Sequence, residues 1–424
     1  MRPPGSPKVE YRSAEREGFF IRPPGSPKVE YRRAERERIP MNLPEPDAAA
    51  REHSARVLDA VRREIMDAGG WIPFARYMQQ VLYAPGLGYY VAGARKFGAA
   101  GDFVTAPEMT PLFAQALARD VAAVLAASAD RAIVELGAGS GALAGELLNA
   151  LARADALPSR YRILEVSPEL RGRQRAAIAQ RAPMQLARVD WIAAVPPAVD
   201  GAVLMNEVLD AIPPHLVTRR DGVLLERGVA WSNGGLVWED RPLADARLRA
   251  LAAERFPPQG DYTSELNPAA EALVKTLAQR MTGGALVIID YGFPQREYYL
   301  AERREGTLMA HYRHRAHADP FLWPGLTDLT AHVDFTAMAL AGERGGLTVA
   351  GYTSLAAFLL GSGILERLAE TGEPTSAGYL REAAAVQKLL SPAEMGELFK
   401  VLALAKSDGV VWAGFMAGDR THRL

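Results

Sequence analysis

The chain has 424 residues, 49% hydrophobic and 23% charged, which is ordinary globular composition and room for one large α/β domain with insertions. A net charge of −1 gives no global field toward nucleic acid or anionic membrane, and no apolar run reaches the roughly 18 residues of a spanning helix. The absence of cysteine excludes disulfides, thiolate nucleophiles and iron–sulfur clusters and fits a reducing cytoplasm, while the alanine-rich composition reads as bacterial.

The start is duplicated: Arg2–Glu17 recurs as Arg22–Glu37 with one change. Stacked repeats need about three copies and an apolar face. Two proline-rich, charged copies offer neither, so residues 1–40 are expected to be disordered and the natural start to fall at Met41. From Ala48 to Met66 the spacing of Val57, Val61 and Ile65 predicts a helix, and Trp71–Tyr83 continues in that style. A Gly/Pro/Tyr-rich stretch and a loop at Phe97–Pro111 precede a helix at Phe113–Ala126. Residues 41–127 thus read as an N-terminal helical cap with an active-site loop, ahead of a Rossmann-like domain over 128–424.

In that domain strands alternate with helices. Strand Ile133–Leu136, helix Ala142–Ala154, strand Tyr161–Val166 and helix Glu169–Arg181 come first. A weaker strand follows near Leu186–Trp191, then a clear one at Ala202–Asn206. A charged, loop-rich insertion (about Asp221–Gln259) leads to helix Pro268–Met281 and strand Ala285–Tyr291. This alternation predicts a mainly parallel sheet with helices on both faces. Phe399–Leu404 and Gly409–Met416, joined by KSDG, predict a C-terminal antiparallel hairpin, giving seven strands in all. His311–Ala341 holds four of the seven histidines (His311, His314, His317, His332) without regular periodicity and reads as a functional loop.

The strongest motif is IVELGAGSG, where a buried strand delivers Gly137, Gly139 and Gly141 to the start of a helix. Such a turn lets backbone N–H groups approach a nucleotide, and Gly137-x-Gly139-x-x-Ala142 also satisfies the dinucleotide pattern. Glu135 discriminates, because a carboxylate there suits the ammonium of a methionine moiety and repels a pyrophosphate. Glu165 closes the second strand, placed for ribose hydroxyls, and Asp190 with Trp191 could border an adenine. S-adenosylmethionine is therefore the expected cofactor, and an NAD-dependent oxidoreductase is disfavoured.

At the carboxyl end of the fourth strand stand Asn206, read on the cofactor side, and Glu207, with Asp210 three residues on. Carboxylates hold a guanidinium fork and localise its charge, so Glu207, with Asp210 or Glu108 as second acid, is the candidate for methyl transfer to arginine. No metal is expected.

The segments GDFVTAPEMTPLF, IVELGAGSG, YRILEVSPEL, NEVLDAIP, IDYG and DLTAHVDFT, in that order, resemble the MidA-like family across about Ala48–Gly418. The resemblance implies a class I methyltransferase fold and S-adenosylmethionine as donor. For the family's mitochondrial member it implies symmetric dimethylation of an arginine on a respiratory complex I subunit. Asp102, Thr105, Pro107 and Glu108 then correspond to an N-terminal active-site loop, with Thr105 and Pro107 on the cofactor side, and His332 with Asp334 to a second one. The expected partner is a protein presenting an arginine. The alternatives are a small-molecule methyltransferase and a non-catalytic SAM-binding assembly factor.

Overall fold

The apolar run Ala132–Leu136 is buried along its whole length, as expected of a central strand covered on both faces. It is β1 of the eight-stranded main sheet of the computed structural model, which describes residues 43–91, 105–406 and 409–424. The two-residue strand Val333–Asp334 only flanks the end of Met281–Phe293, and seven strands make the body of the sheet. The others are β2 (Tyr161–Leu164), β3 (Val189–Ile192), β4 (Val199–Asn206), β5 (Met281–Phe293), β6 (Thr348–Ser354) and β7 (Phe399–Ala405). Their spatial order is β6-β7-β5-β4-β1-β2-β3. Only β7 is reversed, pairing antiparallel with both β5 and β6. The duplicated start, Asp102 and part of the KSDG turn lie outside the described residues.

Side-chain alternation builds a core on each face of this sheet. Ile133, Ile163 and Leu204 meet the helices Pro111–Ala126 and Ala142–Arg153. Val134, Val203 and Leu286 meet Pro268–Arg280 and Phe335–Arg344. From β1 the chain proceeds outward to β2 and β3, then returns to β4 on the other side. That reversal leaves a crevice beyond the carboxyl ends of β1 and β4, the place where open α/β sheets take ligands.

Four expectations are corrected. Gly409–Met416 forms no strand: β7 already has β5 on one edge and β6 on the other, so no edge remains for it. Ala413–Phe415 becomes a 3₁₀ turn instead, and the Gly414 N–H donates to Asp120 Oδ1 at 3.1 Å. The Asp221–Gln259 insertion is largely regular. Val223–Ser232 and Gly235–Pro242 pair with one another, and Val223–Ser232 joins His215–Arg220 and Trp71–Pro73 in an antiparallel sheet completed by Tyr262–Leu266. Trp71–Pro73 is accordingly a strand, with the helix confined to Phe74–Tyr83. The histidine-rich segment holds a small sheet of Met309–Tyr312, Arg315–His317 and Asp328–Thr330, then helix Phe335–Arg344.

Asp120, 1% exposed, links the helix Pro111–Ala126 to the C-terminal turn, for it also accepts from Ser362 Oγ at 2.6 Å. Asp120→Ala would leave the Ser362 hydroxyl and the Gly414 N–H buried without a partner. We expect a stability loss of about 2–3 kcal/mol in urea unfolding. A loss below about 0.5 kcal/mol would show that the tie is not needed.

Candidate active site

A cavity of about 680 Å³ occupies the crevice at the carboxyl ends of β1, β2 and β4. Gly137, Gly139 and Gly141 all have positive φ (66°, 51° and 84°), a turn that L side chains rarely adopt. Gly137 and Gly139 line the cavity, while Gly141 caps helix Ala142–Arg153 and packs against Gln174. Strand alternation puts Glu135 on the same face as Ile133, where burial pushes its carboxyl up to about 7 while the Tyr161 hydroxyl, donating to Oε2 at 2.8 Å, pulls the other way. The carboxylate lines the cavity beside the glycines. Glu165 lines it beyond β2, held by the Gln174 amide (3.3 Å) and the Ser167 N–H (2.8 Å). Trp191 supports this arrangement through Gln174 Oε1 (2.8 Å) and stacks under Arg175.

Beyond β4 the chain makes a strained turn. Glu207 has φ 52°, uncommon for a residue with a side chain and of the kind stored at functional sites. Asp290 of β5 holds the turn: its Oδ2 accepts from the N–H groups of Val208, Leu209 and Asp210 at 3.2, 2.9 and 3.3 Å. Tyr291 donates its hydroxyl to Asp210 Oδ2 at 2.5 Å. Asn206, Glu207 and Asp210 all line the cavity, and the Asn206 amide donates to Glu207 Oε1 at 3.1 Å. Burial, and then the charge of Asp210, raises the Glu207 carboxyl to about 8. Burial takes Asp210 to about 6, and burial, with the charges of Asp210 and Glu207, also lifts Asp290 well above the usual carboxylate range. Glu108 lies near enough to add to the rise at Glu207 but does not line the cavity. Among the described residues no cationic side chain offsets Glu207 or Asp210.

The outer wall comes from elements flanking the sheet. Thr105 and Pro107 contribute from the short helix Ala106–Met109 and its cap. Tyr83, Tyr90, His311, Asp328 and His332 complete it. His332 lies edge-on to Tyr291 at 5.3 Å and against Phe293 at 5.2 Å. Burial, helped by Arg303 and Lys400, lowers its ring to about 3, so it stays neutral and makes a poor proton acceptor.

Besides Glu108 and Gly141, two more expected residues do not line the cavity. Asp334 is 8% exposed, caps helix Phe335–Arg344 through the Ala337 N–H at 3.1 Å and pairs with Arg255 at 3.7 Å. A helix begins directly after it, which turns the carboxylate to capping. Asp190 is exposed and lies 4.0 Å from Arg160, because alternation on the edge strand β3 points it to solvent. Sequence reasoning missed Asp290, Tyr291, Tyr83, Tyr90 and Asp328. The first could have been found by the rule that found Glu207: an acid closing an apolar strand, here LVIID.

The family model described as "Putative S-adenosyl-L-methionine-dependent methyltransferase" matches residues 115–353. The chain is 30% identical over 404 residues to "Protein arginine methyltransferase NDUFAF7 homolog, mitochondrial" of Drosophila melanogaster, covering 86% of this chain and 88% of the relative. It is 29% identical over 375 residues to the Mus musculus "Protein arginine methyltransferase NDUFAF7, mitochondrial", with 79% and 81% covered. A crystal structure from Burkholderia thailandensis, bound to S-adenosyl-homocysteine, is similar at 49% identity and a TM-score of 0.87, covering 90% of this chain and all of the other.

The carboxylate cluster carries a signature in stability. An unfolded Glu207 gives up its proton near 4.5 and the folded one only near 8, so between these values the folded state binds more protons and stability falls as pH rises. Glu207→Gln removes that contribution. Its urea-unfolding stability is expected to exceed the natural chain's at pH 8.5 by on the order of 1–2 kcal/mol, after a discount for partial exposure, and to match it more closely at pH 5. Parallel curves across this range would show that Glu207 is not so perturbed.

Proposed function

Because the chain belongs to the family of S-adenosyl-L-methionine-dependent methyltransferases, we propose that it methylates the guanidinium of a protein arginine, with Glu207 and Asp210 holding the acceptor. The observation that carries this is the pair of cavity-lining carboxylates left without a cationic neighbour among the described residues. Two acids that repel one another are stabilised by an incoming cation, and a guanidinium fork matches their chemistry. The names of the Drosophila and mouse relatives agree with this acceptor.

The donor fits the other part of the cavity. Glu135 presents a buried carboxylate beside N–H groups bared by the glycine turn, a combination that suits an amino-acid tail better than a diphosphate. Glu165, fixed by Gln174 and Ser167, is placed to accept hydrogen bonds from ribose hydroxyls. Bound S-adenosylmethionine supplies a sulfonium methyl whose carbon–sulfur bond breaks as the carbon–nitrogen bond forms, leaving S-adenosylhomocysteine. The acceptor nitrogen loses one proton in that exchange. Glu207, whose carboxyl is raised to about 8, is suited to take it, whereas neutral His332 is not. Asp210 and Glu207 align the nitrogen with the methyl, and alignment supplies much of such a reaction's acceleration.

Two measurements test this reading. Transfer of labelled methyl to arginine-bearing peptides should yield methylarginine, and Glu207→Gln should cut the rate about 100-fold or more while S-adenosylhomocysteine still binds. Label on lysine, on small molecules only, or an unaffected Glu207→Gln rate would defeat it. Affinity for S-adenosylhomocysteine should rise from pH 6 to about 7.5, because the ammonium prefers an ionised Glu135, whose carboxyl is raised to about 7. It should fall again only at higher pH, where the ligand's own amino-acid ammonium loses its proton. Glu135→Gln should bind more weakly and lose the rising limb; an unchanged profile would remove Glu135 from the donor site.

A further inference from the structure

The Tyr83–Tyr90 wall takes no part in the account above, yet its geometry is specific. The two rings stack with centroids 5.5 Å apart and planes 24° from parallel. Tyr83 donates its hydroxyl to the Ala211 carbonyl at 2.9 Å, and Tyr90 donates to Asp328 Oδ1 at 2.9 Å. With both hydroxyls engaged, the rings are held in place before any ligand arrives.

Acids flank these rings. Asp210, 6% exposed, lines the cavity with an Oδ1 that has no hydrogen-bond partner among the described residues. Asp328, 4% exposed, lines it as well, and both carboxylates lie near enough to act on Tyr83 and Tyr90. The Ala331 N–H donates to the Asp210 carbonyl at 2.9 Å, which ties the strand bearing Asp328 to the Glu207–Asp210 turn.

Carboxylates alone would accept any cation. A stacked aromatic wall narrows the choice, since a guanidinium is flat, weakly hydrated and lies against ring faces, whereas an ammonium is compact and keeps its water. We propose that Tyr83 and Tyr90, with Asp210 and Asp328, form the acceptor's seat and select a planar cation over an ammonium. The inference rests on the arginine reading and adds the residues that enforce it.

The full chain, loaded with S-adenosylhomocysteine, would be titrated with N-acetyl-argininamide and with N-acetyl-lysinamide and followed by NMR. The arginine probe should bind more tightly than the lysine probe. Tyr90→Leu and Asp328→Asn should each weaken the arginine probe about tenfold, a change of about 1.4 kcal/mol. Tyr90→Leu should leave the lysine probe within about twofold, and S-adenosylhomocysteine should bind each variant as it binds the natural chain. Tyr90→Phe keeps the ring and should lose less than Tyr90→Leu. If Tyr90→Leu does not fold, as shown by loss of the S-adenosylhomocysteine thermal shift, Asp328→Asn and Tyr90→Phe decide the matter. Arginine-probe affinity unchanged in the folded variants would overturn the seat and leave the arginine reading standing. A natural chain that binds neither probe, or prefers the lysine probe, would overturn both.

Discussion

The site depends on one carboxylate that never touches the cavity. Asp290 sits in the centre of the sheet, fully buried, and gathers three consecutive N–H groups of the turn after β4 on a single oxygen. Those donors would otherwise be orphaned inside the protein at a cost of roughly 1–3 kcal/mol each. Satisfying them lets the chain leave β4 in a left-handed step at Glu207, and that step sends Glu207 and Asp210 into the cavity together. Tyr291, the next residue of β5, secures Asp210 from the same strand. A residue without an acceptor oxygen in place of Asp290, such as alanine, would surrender the turn, and with it the relative placement of both acids.

The parts of this arrangement legible in sequence are those governed by period and position. The run Ile133–Leu136 announced a buried strand, and the residues closing β1, β2 and β4 had to emerge at the ligand edge of an open sheet. Position alone misplaced Asp190 and Asp334, because an acid at a strand end serves whatever the next backbone step requires. At Glu207 the next step is a strained turn into the cavity; at Asp334 it is a helix whose first N–H groups need a cap. The insertion hid its strands for a different reason. Gly235–Pro242 is half-buried at almost every position, so its two faces differ too little to print an alternation. The failed hairpin shows the limit of local pattern: whether Gly409–Met416 extends depends on a free edge of β7, and β6, some fifty residues upstream, has taken it.

The distribution of charge accounts for what is otherwise a run of local defects. Glu135, Glu207 and Asp210 are each held where burial opposes their charged form, and Glu207 adds backbone strain. Such departures collect where function requires them. On the arginine reading the requirement is clear, because both reactants are cations. Bringing a sulfonium and a guanidinium to about 4 Å costs about 4 kcal/mol at the effective dielectric of a protein site. Carboxylates fixed on either side offset that repulsion without waiting for solvent to reorganise. They also fit the lack of a cationic side chain beside them among the described residues: an arginine or lysine salt-bridged to Glu207 would remove the repulsion between the acids and, with it, the affinity reserved for the acceptor. On the arginine reading, Glu207 and Asp210 are thus buried acids whose charged forms the acceptor's own charge completes.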